Sequence, residues 1–285
     1  MLVVGVPRVG CALLILAAVV LGAGSPAGAA GTLDKVLKEK TLTIGYIPSP
    51  PGQYKDVKTG EVTGFYVDAA RFISEAMGVK PSFIETKWAT FAAGLQAGQF
   101  DLCIAATFAT IPRALAVEFT RPIHYLAFAA AVRKGSPLAG IKAIADADRP
   151  GTKVAVVQGS AGHSFVKDHL KQVQVVALAT ADLTAPFVEV SAGRADIGVQ
   201  DLWQVQRYAQ SHPEIVPLFV EDPFNRLPIS WSVRRGDHEF LNFVNTAIDY
   251  LLVNQKMEAF VRKYGTSAGR FQPRLLLEPA DGARR

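Results

Sequence analysis

Two cysteines and three methionines in 285 residues leave this chain nearly free of sulfur. Cys11 lies in an N-terminal apolar run and Cys103 in a strand-like one, so neither an internal disulfide nor a paired-thiolate zinc site is expected. A lone thiol in an apolar strand reads as an inert core residue rather than a nucleophile. Charge is sparse as well. Thirty Lys and Arg against 25 Asp and Glu give a net +5, and the basic residues come as isolated pairs such as Arg234-Arg235 and Arg284-Arg285. No aromatic-interleaved basic stripe runs through them, which argues against a nucleic-acid partner. Also missing are a Walker A loop, a His-Glu-x-x-His pair and a Gly-x-Ser-x-Gly elbow, and with them any signal for a metal, a cofactor or a catalytic nucleophile. Beyond the first thirty residues no stretch approaches the length and apolarity of a membrane span.

The N-terminus is what that limit sets apart. Arg8 is the only charge before an apolar run that reaches Leu21, and Ala27-Gly28-Ala29 has the small-x-small form of a signal-peptidase site. Residues 1–29 therefore read as a cleavable signal peptide, which implies export of a mature chain with a net charge of +5 − 1 = +4. Cys11 sits inside the run rather than at its end, which excludes a lipid anchor. Roughly 250 residues remain, enough for two lobes with their own cores.

Two internal echoes suggest those lobes. Ala97-Gly98-Gln99-Phe100-Asp101 and Ala192-Gly193-Arg194-Ala195-Asp196 each end an apolar-periodic stretch at a small residue and a glycine, after which an Asp opens a buried-strand run. Val132-Arg133-Lys134-Gly135-Ser136 and Val233-Arg234-Arg235-Gly236-Asp237 each close a strand-like run and precede a turn. Strand and helix alternate through both halves: strands at 41–46, 81–86 and 101–105 with helices at 65–77 and 88–97, then strands at 153–157, 174–178 and 196–199 with helices after Ser160 and at 182–192. The pattern predicts mostly parallel sheets flanked by helices, with ligands beyond the carboxyl ends of the strands. Apolar runs at 125–132 and 229–233 read as two crossing strands between the lobes. A single amphipathic pattern from His238 to Tyr264 is expected to pack back on the first lobe. The assignment is 41–131 plus 231–265 for lobe 1, 132–230 for lobe 2, and a loosely held tail at 266–285.

The residues able to carry chemistry lie at the ends of these strands. Arg113 follows the last strand of lobe 1, where a guanidinium can grip a carboxylate through two parallel hydrogen bonds. Asp201 stands at the matching place in lobe 2, at a helix start, where a carboxylate can meet an ammonium; an N-cap aspartate is the plain alternative. Together the two would clamp a zwitterion. Gly159-Ser160 offers a helix N-terminus that attracts an anion, or equally a serine cap.

In order, Gly64-Phe65, Trp88, Leu95-Gln96-Ala97-Gly98-Gln99-Phe100-Asp101, Thr110-Ile111-Pro112-Arg113, Glu118-Phe119-Thr120-Arg121-Pro122, Gln158-Gly159-Ser160, Gly193-Arg194-Ala195-Asp196 and Asp201 resemble the periplasmic amino-acid-binding proteins of ABC importers, solute-binding protein family 3. The resemblance runs over nearly all of 42–265. It implies the two-lobed type II periplasmic-binding-protein fold and a monomeric, non-enzymatic receptor that closes over its ligand and is met by a membrane permease and its ATPase. It implies that Arg113 binds the ligand carboxylate, helped by backbone N–H groups at Phe108 and Ser160, that Asp201 binds the amino group, and that Trp88 lines the side-chain pocket. The chain departs from the family pattern at Pro50, where an aromatic is usual, at Phe108, which replaces a hydroxyl residue, and at Ala106, where Gly or Ser is common. Gln53 is near a second usual aromatic. Ile47, Trp88 and Phe108 suggest an apolar pocket, with polar contacts from Gln158 and Gln200. Two alternatives share the scaffold: a cyclohexadienyl-dehydratase-like enzyme, for which Glu189 and Glu221 are the candidate acids, and a ligand sensor for a membrane kinase.

Overall fold

A computed structural model describes residues 31–265, together with Met1, Leu2 and Gly5. The signal peptide expected at 1–29 and the tail at 266–285 lie outside the described residues. The chain opens with α1 (Thr32–Glu39) and β1 (Thr41–Tyr46), then a short hairpin, β2 (Tyr54–Lys55) and β3 (Val62–Thr63). Next come α2 (Phe65–Ala76), β4 (Lys80–Glu85), α3 (Phe91–Gln96), β5 (Leu102–Phe108), α4 (Ile111–Ala114), β6 (Val117–Phe119) and the long β7 (His124–Arg133). The second half holds β8 (Lys153–Val157), α5 (Ala161–His169), β9 (Gln174–Leu178), α6 (Ala185–Ser191), β10 (Ile197–Asp201), α7 (Leu202–Ser211), β11 (Ile215–Leu218) and the long β12 (Phe224–Arg234), and then α8 (His238–Val253) and α9 (Lys256–Lys263) close the chain.

The strand order β4-β1-β5-β12-β7-β10-β8-β9 reads the same way from either end. On one side β1 pairs parallel with β4 and β5, and β5 meets β12 antiparallel; on the other β8 pairs parallel with β9 and β10, and β10 meets β7 antiparallel. The short β6 adds to β12 as β11 adds to β7. Strands β7 and β12 pair with each other only over their inner halves, His124 to Phe128 against Phe224 to Ile229, and so form a double crossing between two lobes.

The sequence echo has a physical basis. Gly98 and Gly193 stop α3 and α6 with φ of +69° and +70°, a conformation that L side chains adopt only at a cost. Three residues on, Asp101 accepts from the backbone N–H of Thr43 at 3.0 Å, and Asp196 accepts from that of Lys153 at 2.8 Å. Each Asp thus ties a helix-to-strand turn to the first parallel strand of its own lobe.

One lobe buries Leu42, Ile44, Phe65, Tyr66, Trp231, Phe240 and Val261 together, and the other Phe128, Val154, Val156, Ile197 and Val199. The single amphipathic pattern expected at 238–264 is two helices. Gln255 takes φ +54°, breaking the run between α8 and α9, and the turn lets Tyr264 come back to hydrogen-bond Gly64 N–H at 3.1 Å and Asp68 at 3.1 Å. Trp88 also falls before the helix expected at 88–97: Thr90 and Phe91 N–H both bond Lys87 O, so a turn precedes α3.

Candidate functional site

A cleft of about 510 Å³ lies where the two lobes face each other, within the range of about 300–1,000 Å³ usual for small-molecule sites. Eight of the nine residues expected to bind ligand line it: Pro50, Trp88, Ala106, Phe108, Arg113, Ser160, Gln200 and Asp201. Gln158 does not. It is exposed, and its N–H pairs with Leu178 O, continuing the β8–β9 ladder.

Arg113 is held by α4, whose start is fixed by Thr110 and Pro112 at the end of β5. Its guanidinium lies 5.5 Å from the Trp88 ring and 5.6 Å from Phe91, and donates to Phe108 O at 3.1 Å and, across the cleft, to Gly159 O at 2.9 Å. No ion pair among the described residues includes it. Two of its five N–H donors are engaged, which leaves three for a ligand. Burial draws its pKa down to about 10, still far above neutrality, so the group stays cationic.

Opposite stands Asp201, the last residue of β10 and the N-cap of α7, whose Oδ1 accepts from Gln204 N–H at 3.2 Å. The plain reading of this residue as a helix cap therefore holds, and the same residue lines the cleft. Its negative charge, after burial, is the second cause that pushes the Tyr66 phenol well above its usual pKa. Tyr66 bonds His124 Nε2 at 2.6 Å, and the His124 ring stacks 5.3 Å from Trp203, so an aromatic wall backs this part of the cleft.

Ser160 caps α5, its Oγ accepting from His163 N–H at 3.1 Å. Its own N–H is committed to Val157 O at 3.1 Å, so the backbone donor expected there is not available. The N–H groups of Ala161 and Gly162, at the first two helical positions and in the cleft wall, are the ones a helix start leaves unpaired. Phe108 meets Phe128 edge to face at 4.9 Å, so a phenyl ring lines this part of the cleft. Ile47 is fully buried behind the wall with Trp88 and Phe91. Cys103 is fully buried with its thiol pushed up to about 12 by burial, which leaves it protonated.

Neither acid considered for an enzyme reaches the cleft. Glu189 is gripped by Arg194 through two bonds of 2.7 Å that hold its carboxyl below the usual range, and Glu221 is exposed elsewhere. Sequence reasoning missed a stripe on α7. Trp203, Gln206, Arg207 and Gln210 all line the cleft, and their i, i+3, i+4, i+7 spacing was the available signal. Gln204 reaches Ser49 Oγ at 3.4 Å, and Arg207 Nη1 donates to Pro50 O, so α7 also bridges the lobes. Among the described residues no group of three or more His, Cys, Asp or Glu could hold a metal, and no helix is long and apolar enough to cross a membrane.

Two similar α/β lobes, a double strand crossing and a cleft lined from both sides define the type II class of bilobal binding proteins. The profile of the bacterial extracellular solute-binding proteins, family 3, matches residues 42–267, and the chain belongs to that family. A probable amino-acid ABC transporter-binding protein of Haemophilus influenzae is 29% identical over 219 residues, 76% of this chain and 82% of that one. The cyclohexadienyl dehydratase of Pseudomonas aeruginosa is 23% identical over 248 residues, 84% of this chain and 89% of the enzyme. Among solved structures, an ancestral amino acid-binding protein described as a precursor of cyclohexadienyl dehydratase is 29% identical, with a TM-score of 0.73 over 82% of this chain and 99% of that one.

Proposed function

We propose that this chain is a non-enzymatic, monomeric receptor of the periplasm that takes a small zwitterion, an amino acid or a close derivative, and delivers it to an ABC importer in the membrane. The carrying observation is that a cationic Arg113 on one lobe and Asp201 on the other line the same cleft, with no ion pair made by Arg113 among the described residues. The ligand carboxylate lies on Arg113 and the α5 start, and its amino group on Asp201. Lobe 1 is 41–131 with 231–265 and lobe 2 is 132–230, and β7 and β12 are the hinge about which they close.

Thermal-shift screening against amino acids and carboxylates tests this, since a ligand at a hundred times its Kd stabilises by about 2.7 kcal/mol. A complete panel without a shift would overturn the reading. The dehydratase relative makes an enzyme the second reading. A general acid there needs a cleft carboxyl with a raised pKa, and among the described residues the only carboxylate lining the cleft is Asp201. No turnover of a cyclohexadienyl carboxylate is therefore expected.

A further inference from the structure

Three buried polar atoms on the cleft-lining residues have no hydrogen-bond partner among the described residues: Gln53 Oε1, Gln200 Nε2 and Trp88 Nε1. The relative exposure of these residues is 0%, 3% and 8%. Buried polar atoms without partners are uncommon in native structures, and at a binding site a ligand is the natural partner. Amide ends are often ambiguous, but here the backbone settles both. Gln53 Nε2 donates to Ile47 O at 2.9 Å, so a flipped amide would set oxygen against oxygen; Gln200 Oε1 accepts from Asp201 N–H at 3.0 Å, so its flip would set donor against donor. The residues that line the cleft therefore carry a fixed unpaired acceptor on one lobe and a fixed unpaired donor on the other, with an indole donor beside Arg113.

Charge narrows the ligand further. The charged residues lining the cleft are Arg113, Asp201 and Arg207. Arg113 and Asp201 are matched by the ligand's own carboxylate and ammonium, and Arg207 is exposed and donates to Pro50 O. No second anion is left for a basic side chain, and an exposed cation contributes little to an acidic one. What remains unmatched is neutral and both donates and accepts.

We infer that Gln53, Gln200 and Trp88 select an amino acid whose side chain ends in a neutral donor-and-acceptor group, a carboxamide or its ureido equivalent. This rests on the receptor reading above and adds Gln53 as a specificity-determining residue. Calorimetry with L-glutamine, L-asparagine, L-norleucine, L-glutamate and L-lysine tests it. The better of the two carboxamides should bind about tenfold or more tighter than norleucine or lysine, since an apolar or purely cationic end leaves buried groups unpaired. Norleucine or lysine binding as well or better would overturn the inference. In Gln53→Leu the preference for carboxamide over norleucine should collapse. Gln200→Leu gives the same reading if the loss of the Ile47 tie unfolds the first variant, and an unchanged ratio in a folded variant would also overturn it. Arg113→Ala separates the two levels: loss of all amino acids with norleucine preferred in the parent sinks only the side-chain inference. If no amino acid binds the parent, both fall.

Discussion

Gly159→Ala should weaken ligand binding out of proportion to its effect on folding. Gly159 has φ +76°, where an alanine costs about 1–2 kcal/mol. That cost is local to the backbone and is felt whether the lobes are open or closed, so it appears as a loss of stability, roughly 2–8 °C in Tm for a chain of this size. Under the proposed closure, the second effect belongs to the closed form alone. A Cβ at Gly159 would stand 2.9 Å from both Cα and N of Ala89 and 3.2 Å from the carbonyl carbon of Trp88, all backbone atoms of the opposite lobe that cannot rotate aside. The lobes must separate, and the 2.9 Å bond from Arg113 to Gly159 O stretches with them. A hydrogen bond to a charged group contributes about 1.5–3 kcal/mol, which corresponds to roughly a 10- to 150-fold loss of affinity. Thermal unfolding without ligand and calorimetry with the ligand of the parent protein separate the two effects. A variant with lowered Tm and parental affinity would refute the reasoning, because the Gly159–Ala89 approach would then be no part of the bound state.

Arg113→Ala should abolish detectable binding in calorimetry with the fold intact, and Arg113→Lys should be nearly as poor, since an ammonium cannot reproduce a fork that also reaches two carbonyls. Asp201→Asn keeps a capping oxygen for α7 whereas Asp201→Ala loses it, so both should lose binding while only the alanine variant also loses about 1 kcal/mol in denaturant melts. Esterifying the ligand's carboxyl group should cost more affinity than methylating its amino group, because Phe108 supplies no hydroxyl to the amino side; equal losses in competition binding would count against that role. His163 accepts from Gly159 N–H at 3.2 Å, and burial, then Lys167, hold its pKa below the usual value. Its unfolded imidazole titrates near ~6.5, so this contribution to stability is full above that pH and fades as the pH falls through it toward the lower folded pKa. Melts between pH 8 and pH 4 should show a steeper acid loss in the parent than in His163→Gln.

What could be read in advance depended on whether a residue's role is local. The echo at Asp101 and Asp196 was legible because stopping a helix and starting a strand are nearest-neighbour events, and both carboxylates do tie down the adjacent parallel strand. That Arg113 and Asp201 come to the cleft was legible because a charge at a strand end has few places to go. The glutamines were legible only in part. Gln200 was expected at the cleft, but Gln53 was singled out only as standing near a usual aromatic, and Gln204 and Gln210 were not singled out; the loop at 48–53 and the face of α7 bring these three there. Likewise the period through 238–264 is continuous across Gln255, since a one-residue change of backbone sign leaves no trace in hydrophobic spacing. Strands β6 and β11, of three and four residues, are too short to show alternation and exist because β12 and β7 offer them an edge.

The core of the first lobe also sets a timetable. Leu42, Ile44 and Phe65 complete their packing against Trp231, Phe240 and Val261, from the far end of the described chain. From Leu42 to Trp231 is 231 − 42 = 189 residues, which at about 5–20 residues per second take roughly 10 to 40 s to synthesise. The intervening segment needs no such wait, for Val154, Val156, Ile197 and Val199 lie close enough in sequence to collapse among themselves. The nascent chain thus carries an early half that stays unfinished until the last strand and helices are made, a state in which a polypeptide can still be threaded through a membrane.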